Sequence, residues 1–276
     1  MTQPVTDERW LDAFRAAVDA QRRIFAEHRG IAARSRYEEV GAGGDRTLAI
    51  DRLCEDVTFD ELERIHDEGH DFVAIAEERG TVAFGSGDGP RVVLDPIDGS
   101  LNARRTVPCH SFSIAVADGD SMAGVRLGYV YEFGAGEEFV AVAGAGATLD
   151  GESISAPGGD GLELVALEAS KPERVAAACE VLDGEAYRIR SPGTIAVGLC
   201  YVAAGRFDGL LTTRPCRSVD AAAGQLIARE AGARLTLGVD GLDAAPLDLD
   251  ARYHVATART EADLSVIVRA QEAVGT

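Results

Sequence analysis

Two aspartates that follow an apolar segment could bind a metal ion together with a phosphate. Asp95 and Asp98 come directly after residues with strong strand preference. We expect a buried strand that ends at Pro96, because proline cannot donate to a sheet ladder. Gly99 lets the backbone approach an anion closely, and a helix that begins near Ser100 points its unpaired N–H groups at that anion. The turn therefore offers carboxylates to a hard cation and donors to phosphate.

Further carboxylates stand at the predicted ends of other elements. Glu77 and Glu78 follow the apolar residues 72–76, a second predicted strand, and Asp220 opens an alanine-rich helix that Gly232 closes. These separated segments can converge only in the folded protein. Each also has a simpler interpretation, because a glutamate pair in an acidic chain is usually solvated and an aspartate before alanines is usually a helix cap.

The order of these motifs resembles the inositol monophosphatase superfamily, the Mg²⁺-dependent, lithium-sensitive phosphatases that include archaeal fructose-1,6-bisphosphatases. The resemblance extends over most of the chain from about Thr47 to Gly232. Its most specific segment is 94–102. The supporting segments are 76–80, 113–115 with Pro108 before it, 193–196 and 218–232.

The resemblance implies a set of metal ligands. Glu77, Asp95 and the carbonyl of Ile97 would hold one ion, and Asp95, Asp98 and Asp220 would hold a second. We expect two or three Mg²⁺ ions, for which Mn²⁺ can substitute. Ligation by oxygen alone favours these ions over Zn²⁺, which prefers histidine and cysteine.

The resemblance also implies the residues that act on the substrate. Asp51 would accept a proton from the hydroxyl of Ser100 and help to orient the attacking water, with Glu77 as a further catalytic carboxylate. Asp98, Gly99 and Ser100 would contact the phosphate. The family usually has threonine at position 100, so the hydroxyl is kept and only the restricted rotamer of a β-branched side chain is lost.

Two arginines bear on the choice of substrate. The segment that contains Arg190 and Ile195 would contact the substrate alcohol, and Arg214 stands where inositol-preferring members have an acidic residue. An arginine suits a second phosphate through bidentate contacts. We therefore expect fructose 1,6-bisphosphate as the substrate and inositol 1-phosphate as a second one. The alternative is that both arginines are surface charges.

Two other function classes share this pattern. A 3′-phosphoadenosine nucleotide phosphatase would use the same metal ligands and an aromatic pocket, for which Tyr187 and Tyr201 are the candidates. A non-catalytic regulatory protein on the same fold would be expected to lose a metal ligand, and no expected ligand is missing.

Composition points to the environment of the protein. The 276 residues carry a net charge of −19, which argues against a nucleic-acid partner, and 27 basic residues include only one lysine, Lys171. This composition predicts a halophilic source, although arginine also replaces lysine in GC-rich genomes. Five scattered cysteines predict inert thiols. The sequence lacks a long apolar run and a signal-like start, so we expect no membrane partner and a cytoplasmic location. We also expect a homodimer.

The secondary-structure pattern changes at a glycine- and proline-containing stretch, residues 156–159. We expect an N-terminal α+β lobe over 1–156, with a helix pair on a largely antiparallel sheet. Alternating strands and helices predict an α/β lobe over 157–276. The resemblance implies that the two lobes form one layered α/β/α/β/α sandwich.

Overall fold

A computed structural model describes residues 4–40, 46–156, 158–159, 161–169 and 171–275. The helices in this part of the chain are α1 (Asp7–Glu27), α2 (Ile31–Arg34), α3 (Ala49–Asp67), α4 (Ser100–Arg105), α5 (Pro172–Leu182), α6 (Ile195–Ala203), α7 (Ser218–Glu230) and α8 (Glu261–Ala273). None of them is both long enough and apolar enough to cross a membrane.

The strands form three sheets. They are β1 (Tyr37–Val40), β2 (Arg46–Leu48), β3 (Phe72–Ala76), β4 (Gly80–Phe84), β5 (Arg91–Asp98), β6 (Ser111–Ala117), β7 (Val125–Glu132), β8 (Glu137–Val142), β9 (Gly146–Leu149), β10 (Glu152–Ile154), β11 (Leu162–Glu168), β12 (Ala186–Arg190), β13 (Gly209–Thr212), β14 (Arg234–Thr236) and β15 (Ala256–Ala258).

The large sheet has eight strands in the order β10-β9-β8-β7-β6-β5-β3-β4, and the smaller one has five in the order β12-β11-β13-β15-β14. All pairs of the large sheet are antiparallel except β3 with β5. In the smaller sheet β12, β11 and β13 are parallel, and β15 is antiparallel to its neighbours. A third sheet consists of β1 and β2 alone.

The two main sheets and their helices make five layers. Helices α1 and α3 bury aromatic residues such as Trp10 and Phe59 against one face of the large sheet. Helices α6 and α7 fill the space between the two sheets. Helices α5 and α8 cover the far face of the smaller sheet with residues such as Leu182 and Ile267. This order confirms the predicted α/β/α/β/α sandwich, because each amphipathic sheet face is covered by helices.

Helix α7 lies between the sheets and is buried over most of its length. Its alanines allow this, and so does Gly128 of β7, where an added Cβ would lie 2.8 Å from the carbonyl oxygen of Ala223. Backbone atoms cannot move aside as side chains can. The close packing of α7 on the large sheet therefore requires glycine at position 128.

Most predicted elements agree with the structure. Helix α5 has the expected bounds, and Gly232 has the positive φ of a residue that terminates a helix. One prediction was wrong, because β5 does not end at Pro96. It continues to Asp98 through an irregularity in its pairing with β6 between Asp95 and Asp98, where a missing N–H is tolerated.

The boundary between the two lobes stays a prediction. The sequence pattern predicts it at residues 156–159, of which Pro157 lies outside the described residues. One hydrophobic cluster joins residues from both sides of this position, for example Phe139 before it and Leu226 after it.

Candidate active site

The parallel pairing of β3 and β5 brings two of the predicted ligands together. Ala76 is opposite Leu94 in the register, and these residues are followed by Glu77 and Asp95. Parallel strands end at the same edge of a sheet, so both carboxylates leave the sheet side by side. The Asp95 carboxylate accepts a hydrogen bond from the backbone N–H of Ile97 at 2.9 Å, which fixes the turn that follows.

Helix α7 supplies the third carboxylate. One oxygen each of Glu77, Asp95 and Asp220 lies within 4.8 Å of the others. Asp220 is in the first turn of α7, and it accepts a hydrogen bond from the backbone N–H of Arg217 at 2.8 Å. The helix begins two residues before Asp220, so Asp220 is not the N-cap that the sequence suggested, but its carboxylate still bonds to the N–H of the capping residue while it converges with the other carboxylates.

Asp98 joins this group from the end of β5. Its carboxylate accepts hydrogen bonds from the hydroxyl of Thr194 at 2.5 Å and from the backbone N–H of Ala196 at 2.7 Å. Both donors are at the beginning of α6, where unpaired N–H groups and the helix dipole favour a negative charge. Asp98 is therefore positioned by α6 as well as by its own strand.

The electrostatics of these carboxylates favour a bound cation. Burial raises the pKa of Asp95 well above its ordinary value, and Glu77 and Asp98 raise it further. Burial and the charge of Asp220 raise the pKa of Asp98 to about 7. Burial likewise raises the pKa of Asp220 to about 6, although Arg217 opposes it. Crowded carboxylates of this kind are stabilised in their charged forms by a hard divalent cation, which suits their oxygen-only ligands.

Asp51 and Ser100 line a cavity of about 190 Å³ beside these carboxylates. Asp51 is in the first turn of α3, and its Oδ1 is buried without a hydrogen-bond partner among the described residues. Burial raises its pKa to about 8, and the charges of Glu78 and Glu77 add to this shift. Once it is ionised, which a nearby cation favours, a buried carboxylate with a free acceptor atom can take a proton from a hydroxyl or a water.

A cleft of about 390 Å³ lies on the other side of the carboxylates. Ile97 and Ser100 line both the cleft and the smaller cavity, and Gly99 and Ile195 line the cleft. Gly99 has a φ of 90°, and an added Cβ would lie 3.1 Å from the carbonyl oxygen of Gly193. Glycine is needed there for both reasons, and the backbone of the turn consequently reaches the cleft.

Sequence reasoning did not identify three polar residues that line the cleft. Arg217 forms an ion pair with Glu77, and it lines both cavities. Glu168, at the end of β11, is buried and accepts hydrogen bonds from the N–H of Gly193 at 3.0 and 3.2 Å. Thr194 was noted only as part of a motif. Arg217 directly precedes helix α7, and its N–H donates to the carboxylate of Asp220, the third residue of that helix. A residue at this capping position lies close to the third helical residue, and this spacing is the signal that the sequence offered.

The two arginines predicted to bind substrate lie outside the described lining of both cavities. Arg190 is exposed at the end of β12, and its guanidinium donates to the neighbouring carbonyl of Ile189 at 2.9 Å. Arg214 is exposed between β13 and α7. Tyr187 and Tyr201 do not line these cavities either; Tyr201 packs against other aromatic rings.

Several proteins with assigned functions are similar to this chain in sequence. A fructose-1,6-bisphosphatase/inositol-1-monophosphatase from Methanothermobacter thermautotrophicus is 34% identical over 72% of this chain and 73% of its own length. One from Archaeoglobus fulgidus is 34% identical over 82% of this chain and 84% of its own. A bifunctional NADP phosphatase/NAD kinase from Methanococcus maripaludis is 30% identical over 72% of this chain, which is 38% of that longer protein.

Solved structures and a family model indicate the same family as these sequence relatives. The crystal structure of an inositol monophosphatase–fructose 1,6-bisphosphatase gene product superposes with a TM-score of 0.82, at 25% identity, over 95% of this chain and 99% of its own. An inositol monophosphatase from Thermotoga maritima, 24% identical, shares the fold with a TM-score of 0.77 over 98% of this chain and 100% of its own. The model of the inositol monophosphatase family matches residues 8–275. The chain therefore belongs to the inositol monophosphatase family of metal-dependent phosphatases.

Proposed function

We propose that the chain hydrolyses a sugar phosphate monoester with two Mg²⁺ ions, and that fructose 1,6-bisphosphate is the preferred substrate. The observation that carries this proposal is the convergence of Glu77, Asp95 and Asp220 within 4.8 Å at the edge of the cleft that Asp98 also lines. Glu77, Asp95 and the Ile97 carbonyl would hold one ion, and Asp95, Asp98 and Asp220 the other. The ions would activate the attacking water and stabilise the leaving oxygen.

The chain's own residues would then place the substrate and move the proton. Asp51 has a free, buried Oδ1 and lines the same small cavity as the hydroxyl of Ser100. Asp51 would accept the proton that Ser100 passes on as the water attacks. The backbone at Gly99 and Ser100 and the beginning of α6 would donate hydrogen bonds to the phosphate oxygens.

The size of the cleft and the relatives support a small phosphorylated substrate. A cleft of about 390 Å³ is in the range of small-molecule sites. The two archaeal relatives described above are both named for fructose 1,6-bisphosphate and inositol 1-phosphate. We propose that the cleaved phosphate lies at the carboxylates and that the second phosphate extends outward to the exposed side chain of Arg214, with Arg190 as a further contact.

A nucleotide phosphate is the second candidate, because one relative is named as an NADP phosphatase. The described residues that line the two cavities include no aromatic side chain on which a base could stack. This favours the sugar phosphate. A non-catalytic role is disfavoured because the cluster retains all its predicted carboxylates. Cytoplasmic location, a homodimer and a salt-rich environment stay predictions.

A phosphate-release assay tests the proposal. The substrates would be fructose 1,6-bisphosphate, inositol 1-phosphate, 3′-phosphoadenosine 5′-phosphate and NADP, each with Mg²⁺ and molar KCl. We expect the highest kcat/KM with fructose 1,6-bisphosphate. A clear preference for either nucleotide would refute the proposed substrate, and no Mg²⁺-dependent release from any of them would refute the proposed activity.

Arginine variants test the second phosphate contact. A charge-assisted contact contributes about 1.5–3 kcal/mol, so Arg214→Ala should lower kcat/KM for fructose 1,6-bisphosphate by about ten- to a hundredfold. Inositol 1-phosphate has no second phosphate and should be affected much less. Arg188→Ala is the control, because the Arg188 guanidinium lies over the ring of Tyr187, outside the lining of the cleft. A parallel loss for both substrates would assign Arg214 a structural role instead.

A further inference from the structure

The guanidinium of Arg217 lies among the predicted metal ligands. Its Nη2 donates a hydrogen bond to Oε1 of Glu77 and lies 3.7 Å from Oδ1 of Asp220. The side chains of Arg217 and Glu77 are only 14% and 17% exposed. Water therefore screens this ion pair less than it screens a surface pair. Two of the three clustered carboxylates are thus in contact with one internal cation.

This cation is the main compensation for the local negative charge. Glu77, Asp95, Asp98 and Asp220 all line the cleft, and among the described residues that line the two cavities Arg217 has the only basic side chain. Burial lowers the pKa of Arg217, but the carboxylates of Glu77, Asp220 and Asp95 outweigh that effect, so its pKa is raised. The guanidinium is therefore charged at every physiological pH.

We propose that Arg217 is the resident counter-cation of the metal site, which a metal ion must displace when it binds to Glu77 and Asp220. The inference rests on the metal site of the proposed function. Arg217 would keep the crowded carboxylates together in the metal-free protein and would lower the affinity of the site for metal. It would thereby set the metal concentration at which the enzyme becomes loaded.

Two features indicate that a metal ion displaces the Arg217 guanidinium and does not bind beside it: the like charges of the two cations and the way in which the Arg217 backbone is held. A guanidinium that contacts two ligand carboxylates would lie next to a divalent ion held by the same groups, and like charges repel strongly in a partly dehydrated site. The backbone of Arg217 is held by a contact that does not involve its guanidinium, because its N–H donates to Asp220 Oδ2 at 2.8 Å. The side chain can therefore leave the carboxylates for the adjoining cleft while helix α7 stays in place.

Calorimetric titration with Mn²⁺, without substrate, tests the proposal. We expect Arg217→Gln to bind Mn²⁺ about tenfold more tightly than the natural protein, because the metal no longer competes with a charge-assisted contact. The melting temperature of the metal-free variant should fall, and the increase caused by saturating Mn²⁺ should be larger. Unchanged or weaker Mn²⁺ binding by Arg217→Gln would overturn the proposal.

Arg252→Gln is the matched control for a general loss of positive charge. Arg252 is exposed and its charge acts on Asp220, but its guanidinium donates to backbone carbonyls of residues 249–251. We expect its Mn²⁺ affinity to stay within about twofold of the natural value, because exposed charges are screened. An equal gain in both variants would overturn the specific role of Arg217.

A second variant, Arg217→Lys, tests the proposal if Arg217→Gln does not fold. Arg217→Lys keeps the charge but loses the planar fork, so it should hold the carboxylates less firmly and bind Mn²⁺ more tightly than the natural protein. Equal or weaker binding by a folded Arg217→Lys would overturn the proposal. The proposed function fails separately, when the natural protein itself binds no Mn²⁺ and releases no phosphate.

Discussion

Replacing Thr194 by valine tests how helix α6 holds Asp98. The Thr194 hydroxyl donates to Asp98 Oδ2 at 2.5 Å and accepts from the N–H of Val197 at 3.4 Å as the helix N-cap. Valine has nearly the same shape, so the substitution removes these hydrogen bonds without leaving a cavity. Among the described residues, Asp98 then keeps the hydrogen bond from the N–H of Ala196.

The bonds to Asp98 and Val197 dominate the expected magnitude, because the third contact of the Thr194 hydroxyl, with the buried Ser111 hydroxyl, is long at 3.3 Å. A hydrogen bond to a charged group contributes about 1.5–3 kcal/mol. An N-cap hydroxyl contributes about 0.5–2 kcal/mol, and the long distance to Val197 favours the lower part of that range. Thr194→Val should therefore lower the free energy of unfolding of the metal-free protein by about 2–4 kcal/mol.

The assay is urea unfolding with EDTA at pH 8, where Asp98 is ionised, since its pKa is about 7. At pH 5 the carboxyl is neutral, and we expect a smaller loss, because a neutral hydrogen bond contributes about 0.5–1.5 kcal/mol. Thr194→Ser keeps the hydroxyl and should lose little at either pH. A loss below about 1 kcal/mol at pH 8, or an equal loss in the serine variant, would refute this reasoning.

Three further perturbations follow from the burial, charge and packing described above. Burial raises the pKa values of Asp51 to about 8 and Glu55 to about 7, so the folded, metal-free protein retains protons that the unfolded chain has released. The melting temperature of this protein should therefore fall as the pH rises from about 5 to 8, and Asp51→Asn should make this fall smaller. An equal fall in the variant would contradict the raised pKa of Asp51. Because salt screens the repulsion within a net charge of −19, the melting temperature should also rise from low to molar KCl. An unchanged melting temperature over this range would contradict the prediction of a halophilic source. Finally, Gly128→Ala should lower the free energy of unfolding in urea by about 1–3 kcal/mol, since its Cβ meets the backbone of α7. Gly158→Ala is the control, because its Cβ meets nothing within 4 Å among the described residues and, as at Gly128, φ is not positive; an equal loss in both variants would contradict the steric explanation.

The sequence was most informative where carboxylates directly follow apolar strands. The end of a strand fixes where its next residue emerges, and the predicted strands therefore located Glu77 and Asp95 correctly at strand ends. That the two carboxylates converge was implied by the family resemblance, and the parallel pairing of β3 and β5 explains it. The prediction that β5 ends at Pro96 was wrong, because a proline can lie in an irregular part of a strand pairing without ending the strand. Sequence pattern specifies elements better than it specifies such local irregularities.

Contacts between distant segments could not be predicted in the same way. Glu168 reaches the cleft only because β11 belongs to the second sheet, and its hydrogen bonds to Gly193 depend on how the layers stack. The sequence analysis assigned no role to Arg217. Its proximity to Glu77 depends on where α7 enters the space between the sheets, which no local pattern encodes.

The most direct test of the metal-dependent site is the activity of Asp95→Asn. Asp95 is the predicted shared ligand, and it lines both the cleft and the smaller cavity. Mutation of residues that only support the ligands of a metal already lowers metal affinity or activity by about 10–100-fold. Loss of the shared carboxylate should therefore lower the rate of Mg²⁺-dependent phosphate release by more than about a hundredfold, while the circular dichroism spectrum stays unchanged. Near-natural turnover in the folded Asp95→Asn variant would contradict the account.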